Sequence, residues 1–427
     1  LLRGVYPESY VEILRFAQND RRRRARNDKE RRREFTMDFT LPEELKMVQS
    51  TVRKFVKEEL IPLEREILGR EGEPESGRVI LPPEIEDRLV KMVQDMELWG
   101  LNVPEEWGGV GLGTLGCSVV EEELAKTIVP FDFGNITPIL FECNEQQREQ
   151  YLLPVISRHK RYCLALLEPK GGFEPQTMQT IASRVNSDYI INGYKVSPSI
   201  DAGDFAIVFA VTDREKEPRE GISCFLVDRD TPGLTVLGEE EKRGWRAQVI
   251  QPKQLVFHDC HVPAGNMLGA EGKAFHLGKQ WLPSRRIVKG AKCVGVGRRI
   301  LNVSAEYANQ WEAFGQLIKV QLNVKRALAD MAIDIEATRL MMYQAAWKAD
   351  EGQDVRYDSA MVKVLATEMV RRCADRAVLI HGGPGYTGEL LVKRLAQNAV
   401  AAAAVEDSLE LQKDIIAREL LKAPTLF

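Results

Sequence analysis

Apolar residues recur at helical spacing through Leu45, Val48, Val52, Phe55 and Leu60, which predicts a first helix with one apolar face. Thr40 and Glu43 are placed as a capping box, with Pro42 in the first turn. Further helix is expected over about 83–98 and 114–125, with a glycine-rich turn at 107–111 between them. From about 162 to 257 the period shortens to β-branched and aromatic runs, at 189–191, 205–211, 222–227 and 255–257, separated by Gly, Pro and Asp. These read as strands, and Asn192-Gly193 between two of them reads as a hairpin turn. After Gly272 the helical period returns: Leu328, Met331, Ile335 and Met342 share one face, as do Val362, Leu365, Met369 and Cys373. Gly352 is placed to end one helix, and the run His381-Gly382-Gly383-Pro384-Gly385 to break the next. The predicted order is an all-α N-terminal domain, a central β-barrel or sandwich, and a C-terminal four-helix bundle.

A chain of 427 residues exceeds what one hydrophobic core supports, so several domains are expected. With 29% charged and 44% hydrophobic residues it reads as folded throughout, except at its start. Residues 1–36 hold ten Arg and one Lys against six acidic residues, net +5, which leaves −4 − 5 = −9 on the remainder. A basic nucleic-acid arm is one reading of that stretch. Because the first methionine is Met37 and a helix start follows it, the segment is read instead as a disordered or non-native extension. The expected domains are then 37–158, 159–270 and 271–427, with no nucleic-acid partner. The longest apolar run, 399–405, is far below the roughly 18 residues of a membrane span. Seven scattered cysteines without a Cys-x-x-Cys pair suggest neither disulfides nor zinc and fit a reducing cytoplasm. His258 and His261 lie in what looks like a strand end, so no metal is expected.

Several stretches resemble the acyl-CoA dehydrogenase family in order and spacing. They are residues 100–113 (GLNVPEEWGGVGLG), 163–169 (CLALLEP), Asn192-Gly193-Tyr194-Lys195, and His261-Val262-Pro263 followed by Leu268-Gly269 and 272–275. The last is 380–387 (IHGGPGYT), and the match covers about 37–423. The resemblance implies FAD as hydride acceptor, an acyl-CoA substrate, an electron-transfer flavoprotein as electron acceptor, and a homo-tetramer or a mixed oligomer with a homologue. It implies that Glu406 is the base removing the α-proton, opposite the flavin. Glu406 directly follows seven apolar residues, an environment that raises a carboxyl pKa. A solvated Glu406 beside an Asp407–Glu410 capping box is the alternative. Arg286 is carried over to the substrate channel at the start of the first C-terminal helix; its alternative is a solvated residue beside Arg285. Ser199 and Ser408 are carried over as cofactor contacts, Ser199 against a turn-capping role beside Pro198. Phe314 and Gln321 match positions that meet a neighbouring subunit's cofactor, against a core aromatic and a surface glutamine. Gly382 and Gly383 allow close approach to the cofactor's nucleotide half, or simply terminate a helix.

The departures from the family's pattern concentrate on the flavin. Leu167 replaces a hydroxyl, Phe173 a serine, Ser197 a shielding tryptophan, Trp311 an arginine and Leu379 a glutamine. Gln397-Asn398 replaces an Arg-Asp pair, and Asp407 a glycine. Four or five lost hydrogen bonds, at about 1 kcal/mol each and more where charged, would weaken cofactor binding by several powers of ten. Two functions are therefore expected: an active flavin-dependent oxidoreductase of CH–CH groups in fatty acid metabolism, or a flavin-free, inactive subunit that partners a competent homologue.

Overall fold

The computed structural model describes residues 40–69, 81–169, 175–197, 203–237, 253–387, 391–404 and 408–422. Helix α1 (Glu43–Phe55) buries Leu45, Val48, Val52 and Phe55 along one side. It opens two residues later than the capping-box reading places it. Pro42 disfavours helical dihedrals at Leu41, so the first bond is Lys46 N–H to the Pro42 carbonyl at 3.0 Å. Helices α2 (Pro83–Asp95) and α3 (Thr114–Leu124) follow, and α3 is buried on almost every side.

The β-region holds strands β1 (Tyr162–Ala165), β2 (Ile181–Val185), β3 (Asp188–Ser197), β4 (Phe205–Val211), β5 (Ile222–Asp228), β6 (Leu234–Leu237), β7 (Lys253–Val262) and β8 (Met267–Leu268). They form one sheet in the order β6-β7-β3-β2-β4-β5-β8, with β1 parallel to β4. Strand β4 is buried along its whole length because its two faces serve two cores. Phe205, Ile207 and Phe209 pack toward the helical regions, whereas Ala206, Val208 and Ala210 pack with Leu255, Phe257 and Cys260 of β7. Contact between β4 and β7 side chains across an interior requires the sheet to curl on itself.

Asn192-Gly193 does not make the predicted hairpin turn. It lies inside β3, at a register shift against β7, while the β2–β3 turn is at Asn186-Ser187, with Asn186 at φ +56°. Gly193 is needed for another reason: at φ +145°, an added Cβ would stand 2.6 Å from the Thr180 Cα. The glycine lets two strands approach at a bulge.

The C-terminal helices are α4 (Ala274–Gln310), α5 (Leu322–Asp350), α6 (Arg356–His381), α7 (Leu391–Ala404) and α8 (Leu409–Lys422). A two-stranded hairpin, β9 (Glu312–Ala313) and β10 (Gln316–Leu317), joins α4 to α5. Gly352 at φ +72° follows the end of α5, and Gly382 at φ +62° ends α6, as predicted. Met331, Ile335 and Met342 join Val362, Met369 and Cys373 among the buried residues of the bundle. Gly295 brings α4 against α3, since a Cβ there would sit 2.3 Å from the Glu122 carbonyl oxygen.

At this crossing the Glu122 carboxylate is wholly buried. It accepts both Arg339 contacts at 3.0 Å and the Tyr343 hydroxyl at 2.7 Å, with Arg298 Nη1 3.3 Å away. The group ties α3, α4 and α5 together with every acceptor position used. Glu122→Ala removes the buried carboxylate shared by two guanidinium groups and leaves them only the Glu336 carboxylate among the described residues, so we expect it to lower unfolding stability by about 3 kcal/mol in urea titrations. A loss under 1 kcal/mol would show that the cations find other partners.

Candidate functional site

Beyond β1 the chain runs on through Leu166 and Leu167 to Glu168, whose side chain is almost completely buried. Glu168 accepts backbone N–H groups from Gln179 (2.7 Å) and Thr180 (2.9 Å), and Lys195 Nζ from β3 at 2.9 Å. Lys195 is fully buried and also donates to the Leu166 carbonyl at 3.2 Å. Burial alone would raise the Glu168 pKa, but the Lys195 charge, its hydrogen bond and the two amides hold it below the ordinary 4.5. Burial pushes Lys195 down to about 8, with Glu168 opposing. The pair locks the edge after β1, since the Leu167 carbonyl also accepts Val196 N–H at 2.8 Å. Outside this anchor, the Leu167 side chain is 41% exposed.

All three regions of the chain meet next to this edge. Leu164 and Leu166 of the sheet, Phe141 of the N-terminal region, and Phe275 and Trp281 of α4 all pack against one buried cluster, which holds Ile139, Phe205 and Ala274. Arg286 is half-buried in the fourth turn of α4, three residues after the interior Pro283, and not at the helix start that its sequence position implied. Helix α4 begins earlier because Ala274 to Leu282 already continue it.

The far end of α4 carries other predicted positions. Trp311 stacks on Tyr307 (5.3 Å, 15°), and Tyr307 on His381 (4.3 Å, 27°), whose imidazole pKa is lowered by burial. Phe314 is at the tip of the β9–β10 hairpin, at φ +56° and 99% exposed, which overturns the core-aromatic alternative. Gln321 flanks the start of α5 half-buried, Leu379 is largely exposed in the last turn of α6, and Gly382 and Gly383 are open, with nothing within 4 Å of an added Cβ. At 1.5 Å per residue, the end of α4 lies roughly 36 Å from Arg286. One chain therefore does not bring Arg286 and the hairpin to a single site.

Ser408 is exposed and caps α8, its hydroxyl accepting Leu411 N–H at 3.2 Å. Glu406, Ser199 and Phe173 lie outside the described residues, as does residue 407; Ser197 closes β3. All seven cysteines are buried, and burial pushes thiols such as Cys163 up to about 11 and Cys117 up to about 12, so none is a poised nucleophile. Among the described residues no acidic, His or Cys group is arranged to hold a metal, and no helix is long and apolar enough to cross a membrane.

Sequence reasoning missed the Glu168–Lys195 pair. Its signal was a lysine at an inward position of β3, following Tyr189 and Ile191 in strand alternation, with a glutamate after an apolar strand to match it. The described part of the site fits a flavin ring: an apolar side chain stays open on an edge whose backbone a buried ion pair immobilises. Gly382 and Gly383 leave the backbone at the bundle end open.

Profiles for the acyl-CoA dehydrogenase N-terminal, middle and C-terminal domains match residues 42–159, 163–260 and 275–421. The chain is 34% identical over 407 residues to (R)-benzylsuccinyl-CoA dehydrogenase of Thauera aromatica, covering 90% of this chain and 97% of that one. Butyryl-CoA dehydrogenase from Megasphaera elsdenii is similar in structure at a TM-score of 0.78 and 31% identity, over 90% of this chain and 100% of that one. The FAD complex of PigA is similar at a TM-score of 0.79 and 26% identity, over 90% and 99%.

Lys195→Met leaves the Glu168 carboxylate buried without its cation, and we expect a loss of about 3 to 5 kcal/mol at neutral pH by chemical denaturation. Because the folded pKa of Glu168 is depressed, the stability it contributes is present above its unfolded value near 4.5 and is lost as pH falls through the folded value. The gap between wild type and variant should narrow below pH 4.5; a gap constant down to pH 2.5 would contradict the pairing.

Proposed function

The chain belongs to the acyl-CoA dehydrogenase family, and on that premise we propose that it is a flavoprotein oxidising an acyl-CoA thioester to the 2,3-enoyl-CoA. The observation that carries this reading is the open apolar edge at Leu167 beside a fully buried ion pair, in a chain that matches a dehydrogenase across nearly its whole length. Glu406 is the base: its carboxylate takes the proton from the carbon next to the thioester carbonyl, where the carbonyl makes that proton acidic. Arg286, half-buried on α4, orients the thioester. Leu166 and Leu167 keep water from the reacting carbons. FAD, when bound, supplies the acceptor for the β-hydrogen as hydride. Ser199, Ser408, Gly382 and Gly383 are the cofactor contacts of the chain, with Phe314 and Gln321 reaching the cofactor of a neighbouring copy.

That last assignment rests on the roughly 36 Å between Arg286 and the far end of α4 and on the fully exposed Phe314. It makes an oligomer, a tetramer or a mixed assembly with a homologue, part of the functional reading. An electron-transfer flavoprotein is the partner that takes the electrons onward, and the reducing cytoplasm the compartment.

A flavin-free subunit is the second reading, favoured by one observation. Trp311 is held in a stack with Tyr307 and His381, so an aromatic surface stands where the family pattern has an arginine. The two readings separate in the purified protein. For the enzyme we expect a yellow protein with near one FAD per chain, and for Glu406→Gln the same FAD content with turnover reduced at least a thousandfold, the scale on which losing a catalytic base registers. A colourless protein that takes up no added FAD would establish the second reading, and full activity in Glu406→Gln would remove that residue from its role.

A further inference from the structure

Resting on the dehydrogenase reading, we propose that Trp281 and Arg285 select the acyl group, and that the preferred thioester carries a carboxylate on its acyl chain. The Trp281 indole N–H is buried and has no hydrogen-bond partner among the described residues. A buried donor left unpaired is costly, and such groups are characteristically satisfied by a ligand or a water. Trp281 sits where the three regions meet, packed against the same buried cluster as Leu164, Leu166 and Phe275. Junctions between domains are where small-molecule sites concentrate.

One helical turn further on, the Arg285 guanidinium lies 5.2 Å from the Trp281 ring centroid. Its charge also reaches Tyr162 on β1, where burial pushes the phenol pKa up and the nearby cation partly counters it. The turn is held from outside the helix, since Thr114 Oγ1 donates to Ser284 Oγ at 3.2 Å. Pro283 has no N–H for the carbonyl four residues before it, so the ladder is interrupted beside Trp281.

A neutral donor and a guanidinium one turn apart match the two oxygens of a carboxylate: one accepts the indole N–H and the other faces Arg285. A plain alkyl chain would leave the N–H unpaired. Sites built around a buried donor reject analogues that lack the acceptor far more strongly than apolar pockets reject a missing methylene.

The test uses the full chain and two thioesters of equal acyl length, glutaryl-CoA and pentanoyl-CoA, with calorimetric binding and reduction of an artificial electron acceptor as separate readouts. We expect glutaryl-CoA to bind about tenfold tighter or more, and Trp281→Phe, which keeps an aromatic ring and removes the N–H with the fused five-membered ring, to cost it about tenfold while pentanoyl-CoA changes less than about twofold. Arg285→Gln should remove the salt dependence of glutaryl-CoA binding, a readout that does not depend on the indole. Equal binding of the two thioesters, or equal losses for both in Trp281→Phe, would overturn the proposal. Preferential binding of glutaryl-CoA with no acceptor reduced would uphold the selectivity and sink the dehydrogenase reading. Turnover of both at the same efficiency would sink the selectivity alone.

Discussion

Lys195 and Glu168 form an ion pair from which water is almost wholly excluded, and the geometry of the candidate site depends on it. A carboxylate moved into the interior loses its hydration, and the loss is offset only if its oxygens are matched by donors in good geometry. Here two backbone amides and an ammonium do so, and the ammonium also takes up the Leu166 carbonyl. The strand end after β1, the segment before β2 and the middle of β3 are thereby fixed to one another. The edge that carries the partly exposed Leu167 is rigid for that reason.

The second constraint is the length of α4. A straight helix of 37 residues separates its ends by about 55 Å, so the residues around Arg286 and those around Trp311 serve different places. The near end contributes to the junction of the three regions. The far end displays Phe314 and a stacked aromatic surface to the outside. Buried glutamates at α3 fix how α4 and α5 cross the N-terminal helices: Glu122 holds Arg339, and Glu123 holds Arg53 at 3.0 Å. Polar anchors thus set the relative placement of the helical layers, and apolar packing fills the space between them.

Departures from the family's sequence pattern take different physical forms in the fold. Leu167 exchanges a hydrogen bond for open apolar surface and leaves the backbone around it intact. Trp311 exchanges a flexible cation for a ring that is already engaged with Tyr307, which removes a charge from the bundle end and stiffens it. The first change is compatible with a bound ring. The second alters what a neighbouring chain would meet.

Read alone, the sequence was sufficient for whatever depends on neighbours along the chain. The helical period of Val48, Val52 and Phe55, the continuous apolar run of β4 and the glycines ending α5 and α6 all report local backbone geometry, and the order of short motifs identified the family. Asn192-Gly193 misled because the same dipeptide serves a two-residue turn and a bulge, and only the approach of Thr180 distinguishes them. Tertiary structure alone decided that Lys195 meets Glu168, that Phe314 stands exposed at a hairpin tip, and that the Trp281 N–H is buried without a partner among the described residues. These are relations between residues far apart in the chain or between a side chain and the space around it. They follow from how separate elements pack, and no local period in the sequence encodes them.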